Sequence, residues 1–165
     1  NDYAISKWVS ELQILNSKEM FNTDTVRIRI FNTYGPGEHY SDYRSVACRF
    51  IYRSLMKQKY TVYLGHTRTS TYITDLVETV SNIPNNFKSG EVYNIDGNDY
   101  HSIKEMSDII LKLTNNDEKN ISYEEEEKST TMHKKVDCTK AIKDLDHSPK
   151  ILLNEGLRRT VNWMK

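Results

Sequence analysis

The sequence predicts an α/β fold, and three observations carry that reading. A helical run leads into an alternating strand that ends at Gly35-Pro36-Gly37. A second strand, 91–95, closes at Asp96-Gly97 and hands over to a capped helix. No apolar stretch reaches the roughly 20 residues that a membrane helix needs.

Taken in order, residues 3–21 place Ala4, Trp8, Leu12, Leu15 and Met20 at helical spacing, with Ser10, Glu11, Ser17 and Lys18 between them, which predicts an amphipathic helix of several turns. Residues 22–25 break it, and Val26, Ile28 and Ile30 then alternate with Arg27 and Arg29 as a strand does. A second helix is expected over 45–57, burying Ala47, Phe50, Ile51 and Leu55, followed by a short strand over 61–64 that ends at Gly65. Asp75 and Glu78 have capping-box spacing for a short helix carrying Leu76, Val80 and Ile83 and stopped by Pro84. Ser102 and Glu105 form a second capping box, for a helix with Ile103, Met106, Ile110 and Leu113 on one face. Residues 115–128 are polar, with four glutamates at 124–127, and read as a solvated loop followed by an exposed edge with no chemistry. A short helix from about Thr139, a break at Pro149 and a last helix with Leu153, Leu157, Val161 and Met164 on one face complete the chain. No repeat or linker is visible.

The 165 residues suit one domain or a piece of one, and 37% hydrophobic residues suffice for a core. Lys+Arg 23 balance Asp+Glu 23, which argues against a nucleic-acid partner, because binding the phosphate backbone takes a surplus of cations. Cys48 and Cys138 have neither metal-ligand spacing nor a disulfide framework, so no metal is expected and free, buried thiols in a reducing cytoplasm are the simplest reading. The chain opens on Asn1-Asp2-Tyr3 without an initiator Met and with a helix already under way, which gives the expectation that it is a fragment.

Tyr3 and Lys7 are four residues apart, so on a helix they share one face. An ordinary tyrosine, with a pKa near 10, is too weak a base at neutral pH, and a cation within about 4–6 Å favours its phenolate. The spacing alone is not selective, since Tyr100 and Lys104 repeat it. Context separates the pairs. The first is followed by Arg29-Ile30-Phe31-Asn32-Thr33-Tyr34-Gly35-Pro36-Gly37, then Arg68-Thr69-Ser70-Thr71-Tyr72-Ile73-Thr74-Asp75, then Tyr93-Asn94-Ile95 with Ser102-Ile103, then Asp137-Cys138-Thr139-Lys140-Ala141, and last Asn154-Glu155-Gly156-Leu157 through Trp163.

This ordered set resembles the extended short-chain dehydrogenase/reductase superfamily, in particular its NAD-dependent nucleotide-sugar epimerases and dehydratases, along essentially the whole chain. The resemblance implies the C-terminal part of a Rossmann-like doubly wound sheet plus the small α+β substrate-binding domain. The N-terminal half that holds the Gly-rich cofactor turn would be absent, since the sequence contains no such turn. Also outside the sequence would be the Ser or Thr that partners the tyrosine, and the acidic pair that marks a 4,6-dehydratase. The implied division is 1–35, catalytic helix and sheet strand; 36–90, mainly substrate-binding domain; 91–115, a strand and helix returning to the sheet; and 116–165, the rest of the substrate-binding domain.

By resemblance, Tyr3 is the acid/base on a sugar hydroxyl while hydride leaves the same carbon for NAD. Lys7 holds the nicotinamide ribose and lowers the tyrosine pKa. The transient 4-keto sugar then loses water, epimerises or rotates. Arg68 matches an arginine that grips the diphosphate of the nucleotide-diphosphate sugar. Asn32 matches a substrate contact, its bland alternative being an Asx turn. Tyr63 falls where relatives line the nucleobase site, with core packing as its alternative, and Arg44, in an aromatic-rich loop, is a further phosphate candidate. Where relatives place a second arginine upstream of Asp137, this chain has His133, Lys134 and Lys135, so His133 and Lys134 are the candidates for the second clamp. Asp75 reads as a helix cap. The implied protein is a cytoplasmic homodimer, joined through the Tyr3/Lys7 helix, in a route to surface polysaccharide, and the supplied chain alone would be inactive. The competing reading is a catalytically silent member of the fold that serves as a regulatory or binding module.

Overall fold

A computed structural model describes residues 1–128 and 130–165. The first helix, α1, Asp2–Phe21, is capped by the Asn1 side chain, which accepts from the Ala4 N–H at 2.9 Å, and ends on Asn22 in the left-handed conformation. Strand β1, Arg27–Ile30, follows, then β2, Thr33–Tyr34; α2, Val46–Leu55; β3, Tyr60–Tyr63; β4, Thr67–Thr69; and β5, Thr71–Tyr72. Next come α3, Ile73–Asn86; β6, Val92–Ile95; β7, Tyr100–Ser102; and α4, Ile103–Thr114. After a 3-10 turn at Glu118–Asn120, β8, Ile121–Glu124, β9, His133–Lys134, α5, Thr139–Leu145, and α6, Leu153–Met164, finish the chain.

Every helix expected from periodicity is present. Ser102 caps α4, accepting from the Glu105 N–H at 3.0 Å. The cap expected at Asp75 does not form. Helix α3 is capped three residues earlier, at Tyr72, without a side-chain hydrogen bond, runs through Pro84 to Asn86, and half-exposes Val80 while Thr79 takes the buried position. Asp75 is buried and accepts instead from the N–H groups of Lys150 and Ile151, at 3.0 and 2.9 Å, so it ties the approach to α6 onto α3.

Two hydrophobic clusters organise the molecule. One packs Leu76 and Ile83 of α3 and Ala141 and Leu145 of α5 against Tyr93 and Ile95 of β6, which pairs in parallel with β1. The other brings α2, α4 and α6 together over β3, through Phe50, Ile51, Ile110, Leu157 and Val161. Each fully buried Ile or Leu there contributes about 1.5–3 kcal/mol. Helices α3 and α5 pack on the β1–β6 sheet, and α4 packs with α2 and α6 in the other cluster.

Helix α1 departs furthest from expectation. None of its residues is buried, and Trp8, Leu12 and Met20 of the predicted stripe are 64%, 45% and 67% exposed. What ties it down is ionic. Glu11 accepts from Arg29 at 2.6 and 2.7 Å and lies 3.8 Å from Arg27, so the outward residues of β1 point at α1. Among the described residues, no helix is long and apolar enough to cross a membrane, and no group of three His, Cys, Asp or Glu could hold a metal ion.

Candidate functional site

Strand β4 is the centre of the site. It pairs antiparallel with β7 and parallel with β9, and the register sets Arg68 opposite His101 on one side and Lys134 on the other. Residues directly opposite in a sheet share a face. His101, Arg68 and Lys134 therefore form one row across three strands, and Ser70, two residues past Arg68, lies on the same side. Above the row is a cavity of about 250 Å³, lined by Arg68, Lys134 and Ser70 together with Asn32, Arg44 and Glu127. Four of the residues singled out from the sequence thus meet in one space, though they lie up to a hundred positions apart.

Arg68 is only 7% exposed, which excludes a solvated surface role. A guanidinium has five N–H donors. Here Nη1 makes one long bond, 3.4 Å, to the Thr131 carbonyl, and Nη2 lies 3.3 Å from Nδ1 of His66. That second contact competes with another. Nε2 of His66 accepts from the Glu127 N–H at 3.0 Å, and burial together with the Arg68 charge keeps the ring pKa below its ordinary value. A neutral imidazole has one acceptor nitrogen. If Nε2 is that acceptor, Nδ1 carries hydrogen and gives Arg68 nothing. Among the described residues no carboxylate lies within 4 Å of Arg68. Burial lowers its pKa, and the Glu127 charge acts in the opposite sense. Lys134 is likewise lowered by burial and by the neighbouring Arg68. Two desolvated cations facing one cavity, with most guanidinium donors unspent on the described residues, are complementary to a multivalent anion.

Asn32 sits in the left-handed region at φ 41°, a conformation that Asn tolerates better than most residues. Its side-chain amide donates to the Thr69 carbonyl at 2.9 Å, so it shapes the loop and also lines the cavity. Arg44 reaches the cavity from the exposed segment before α2. Glu38 organises that segment by accepting from the Ser45 N–H and hydroxyl at 2.8 and 2.6 Å.

Two candidates fall elsewhere. His133 precedes Lys134 on β9 and so faces the other side of the sheet, where its Nδ1 lies 2.8 Å from the Thr67 hydroxyl; of the two, Lys134 lines the cavity. Tyr63 is half-buried and lines a separate cavity of about 200 Å³ with Arg49 and Arg53, and Glu127 borders both spaces. Glu127 is the correction to the solvated reading of the acidic run, because its backbone is held by His66 and its residue lines both cavities. Ser70, His66 and His101 were also missed, since each matters through its cross-strand neighbours and not through a sequence pattern.

Tyr3 and Lys7 share one face of α1, with Lys7 Nζ 5.5 Å from the centre of the Tyr3 ring, and Tyr3 is 72% exposed. The competing pair is structural. Lys104 donates to Asp108 at 2.8 and 2.9 Å, and the Tyr100 hydroxyl bonds the Thr67 hydroxyl.

A family model described as GDP-mannose 4,6 dehydratase matches residues 1–160. The chain belongs to this family. The match agrees with the expected kinship to the nucleotide-sugar epimerases and dehydratases of the extended short-chain dehydrogenase/reductase superfamily. A UDP-N-acetyl-alpha-D-glucosaminuronate decarboxylase from Bacillus cytotoxicus is 29% identical over 170 residues, 99% of this chain and 53% of that protein. The structure of an epimerase from Methanothermobacter thermautotrophicus superposes with a TM-score of 0.90 at 28% identity, covering 98% of this chain and 49% of the other. A UDP-glucuronic acid 4-epimerase from Bacillus cereus in complex with NAD has a TM-score of 0.84 at 24% identity, covering 100% and 51%. The chain thus spans about half the length of each, and the matches bear out the Rossmann-like α/β fold. Their chemistry also includes a decarboxylase, a branch the sequence reading did not name.

Proposed function

We propose that this chain supplies the diphosphate clamp and the acid/base pair of an NAD-dependent nucleotide-diphosphate-sugar epimerase or 4,6-dehydratase. The observation that carries the reading is Arg68, buried over the cavity, beside Lys134, with no carboxylate partner among the described residues. The diphosphate neutralises both cations and takes the guanidinium donors that the protein leaves unspent. Arg44 closes over it from the loop before α2, and Asn32 bounds the side toward β1. Tyr63, in the adjoining cavity, stacks on the nucleobase.

Tyr3 and Lys7 suit NAD by their own chemistry, since an accessible phenol and ammonium on one helix face offer the hydrogen-bonding groups that a ribose takes. NAD, when bound, accepts hydride from the sugar carbon and so gives a transient 4-keto sugar. Tyr3 Oη takes the proton from the hydroxyl on that carbon, and the Lys7 charge favours the phenolate that must form. The same reading makes α1 the homodimer contact, supported by its exposed Trp8, Leu12 and Ile5, and makes the protein cytoplasmic, in keeping with two free cysteines.

The test is to incubate the whole protein with NAD and a panel of UDP-glucose, UDP-glucuronic acid, dTDP-glucose and GDP-mannose, following the sugar by NMR. Conversion of one of them, lost in Tyr3→Phe while the fold persists, is the expected result. Unchanged conversion in Tyr3→Phe removes Tyr3 from its role.

A further inference from the structure

The hydroxyl of Ser70 is not free to choose its hydrogen-bonding role. Its Oγ lies 3.2 Å from Nε2 of His101, whose other nitrogen, Nδ1, lies 2.9 Å from the Asp99 carbonyl. A carbonyl only accepts, so Nδ1 carries the hydrogen, and in the neutral ring Nε2 is a bare acceptor. The ring is neutral for a structural reason. His101 is 3% exposed on β7, beside Arg68 in the strand register, and burial outweighs the nearby carboxylates of Asp99, Glu105 and Asp96, which favour its cation. Burial accordingly holds its pKa below the ordinary value. Ser70 must then give its single hydrogen to His101, and its remaining hydrogen-bonding capacity is as an acceptor.

The position of Ser70 says what it meets. Asn32 brackets it, donating from its side chain to the Thr69 carbonyl and accepting at its own carbonyl from the Thr71 N–H, 3.3 Å away. Ser70 therefore lies on the side of Arg68 that leads to β1 and α1, away from the Tyr63 cavity. Its backbone is fixed by Gly97, where a Cβ would collide with the Ser70 carbonyl oxygen. We infer that Ser70, its hydroxyl turned by His101, accepts a hydrogen bond from a hydroxyl of the sugar whose diphosphate Arg68 and Lys134 hold. The inference rests on the diphosphate reading above. A phosphate oxygen has no hydrogen to give, so Ser70 is matched to the sugar and not to the phosphates. His101 acts as a positioning residue.

The probes are UDP, UDP-glucose and the four UDP-glucose analogues in which one sugar hydroxyl, at C2, C3, C4 or C6, is replaced by fluorine. Fluorine keeps the size of the hydroxyl but cannot donate. Titrated calorimetrically into the whole protein, one analogue is expected to bind about fivefold more weakly than UDP-glucose because of Ser70, the ordinary worth of one neutral hydrogen bond. In Ser70→Ala and in His101→Phe that penalty falls below twofold, while UDP affinity and the penalties at the other positions stay as they were. A merely structural His101 would not alter one position selectively. Should Ser70→Ala lose UDP affinity through misfolding, Ser70→Cys, close in size and a weak acceptor, gives the same readout. UDP binding together with a fluorine profile unmoved by the Ser70 variants overturns the inference alone. Failure of UDP to bind overturns the diphosphate reading, and this inference with it.

Discussion

The cavity over β4 and the face of α1 are built on opposite plans. Around β4 the chain completes its own environment, since strands β4 and β9, helices α2 and α4 and the loops carrying Asn32, Arg44 and Glu127 line the cavity, and the register of two strand pairs sets the neighbours of Arg68. On α1 the chain completes almost nothing. Tyr3 and Lys7 stand in solvent on a helix without a buried residue, held to β1 by the Glu11 ion pairs. On the proposed function, binding and chemistry are therefore separable, with ligand affinity read at β4 and turnover at α1.

The largest expected effect breaks the α1 side only. Tyr3→Phe in the whole protein lowers the rate of sugar conversion by about 10²–10⁴-fold, the usual range for a lost acid/base, and leaves UDP affinity within twofold. Steady-state rates alongside calorimetry separate the two. The next breaks the β4 side. Arg68→Met removes charge-assisted bonds worth about 1.5–3 kcal/mol and is expected to weaken UDP binding by roughly 10–150-fold. Lys134→Met, losing a point charge without a bidentate fork, costs about tenfold by the same assay. The smallest effect sharpens the geometry: His133→Ala, on the far face of β9, changes UDP affinity less than twofold.

A pH effect belongs to the β4 side as well. His66 and His101 both have folded pKa values below the ordinary 6.5 because burial disfavours their cations. The unfolded chain therefore takes up protons first as pH falls below about 6.5, and stability falls with it. The melting temperature should drop between pH 7 and pH 5, above the range where the depressed carboxylates lose their contribution. In His66→Gln/His101→Asn the slope should flatten, and an identical slope would remove these histidines from the account.

How much of this was legible in the sequence varies with range. Helix α4 was readable because its cap, stripe and left-handed stop at Asn115 are local. Strands β4, β5, β7 and β9 were not, since two or three residues carry no periodicity and exist only through their partners. The same limit separated Lys134 from His133. Adjacent residues of a strand face opposite ways, and only the pairing with Thr67 and Arg68 says which faces the cavity. Periodicity found α1 but not its exposure, because a stripe says that a face is apolar without saying what covers it. Glu127 was hidden in an acidic run, and what singles it out is His66, about sixty positions earlier. Arg68 was found through motif order, but its burial, and its lack of a carboxylate partner among the described residues, needed the fold.

The row Arg68–Lys134 is proposed to hold a diphosphate. Calorimetric titration of the whole protein with UDP and with UMP measures this. UDP should bind at least tenfold more tightly than UMP, and Arg68→Met should collapse that difference. Equal affinity for the two nucleotides, or a preference for UDP that survives in Arg68→Met, would contradict the account.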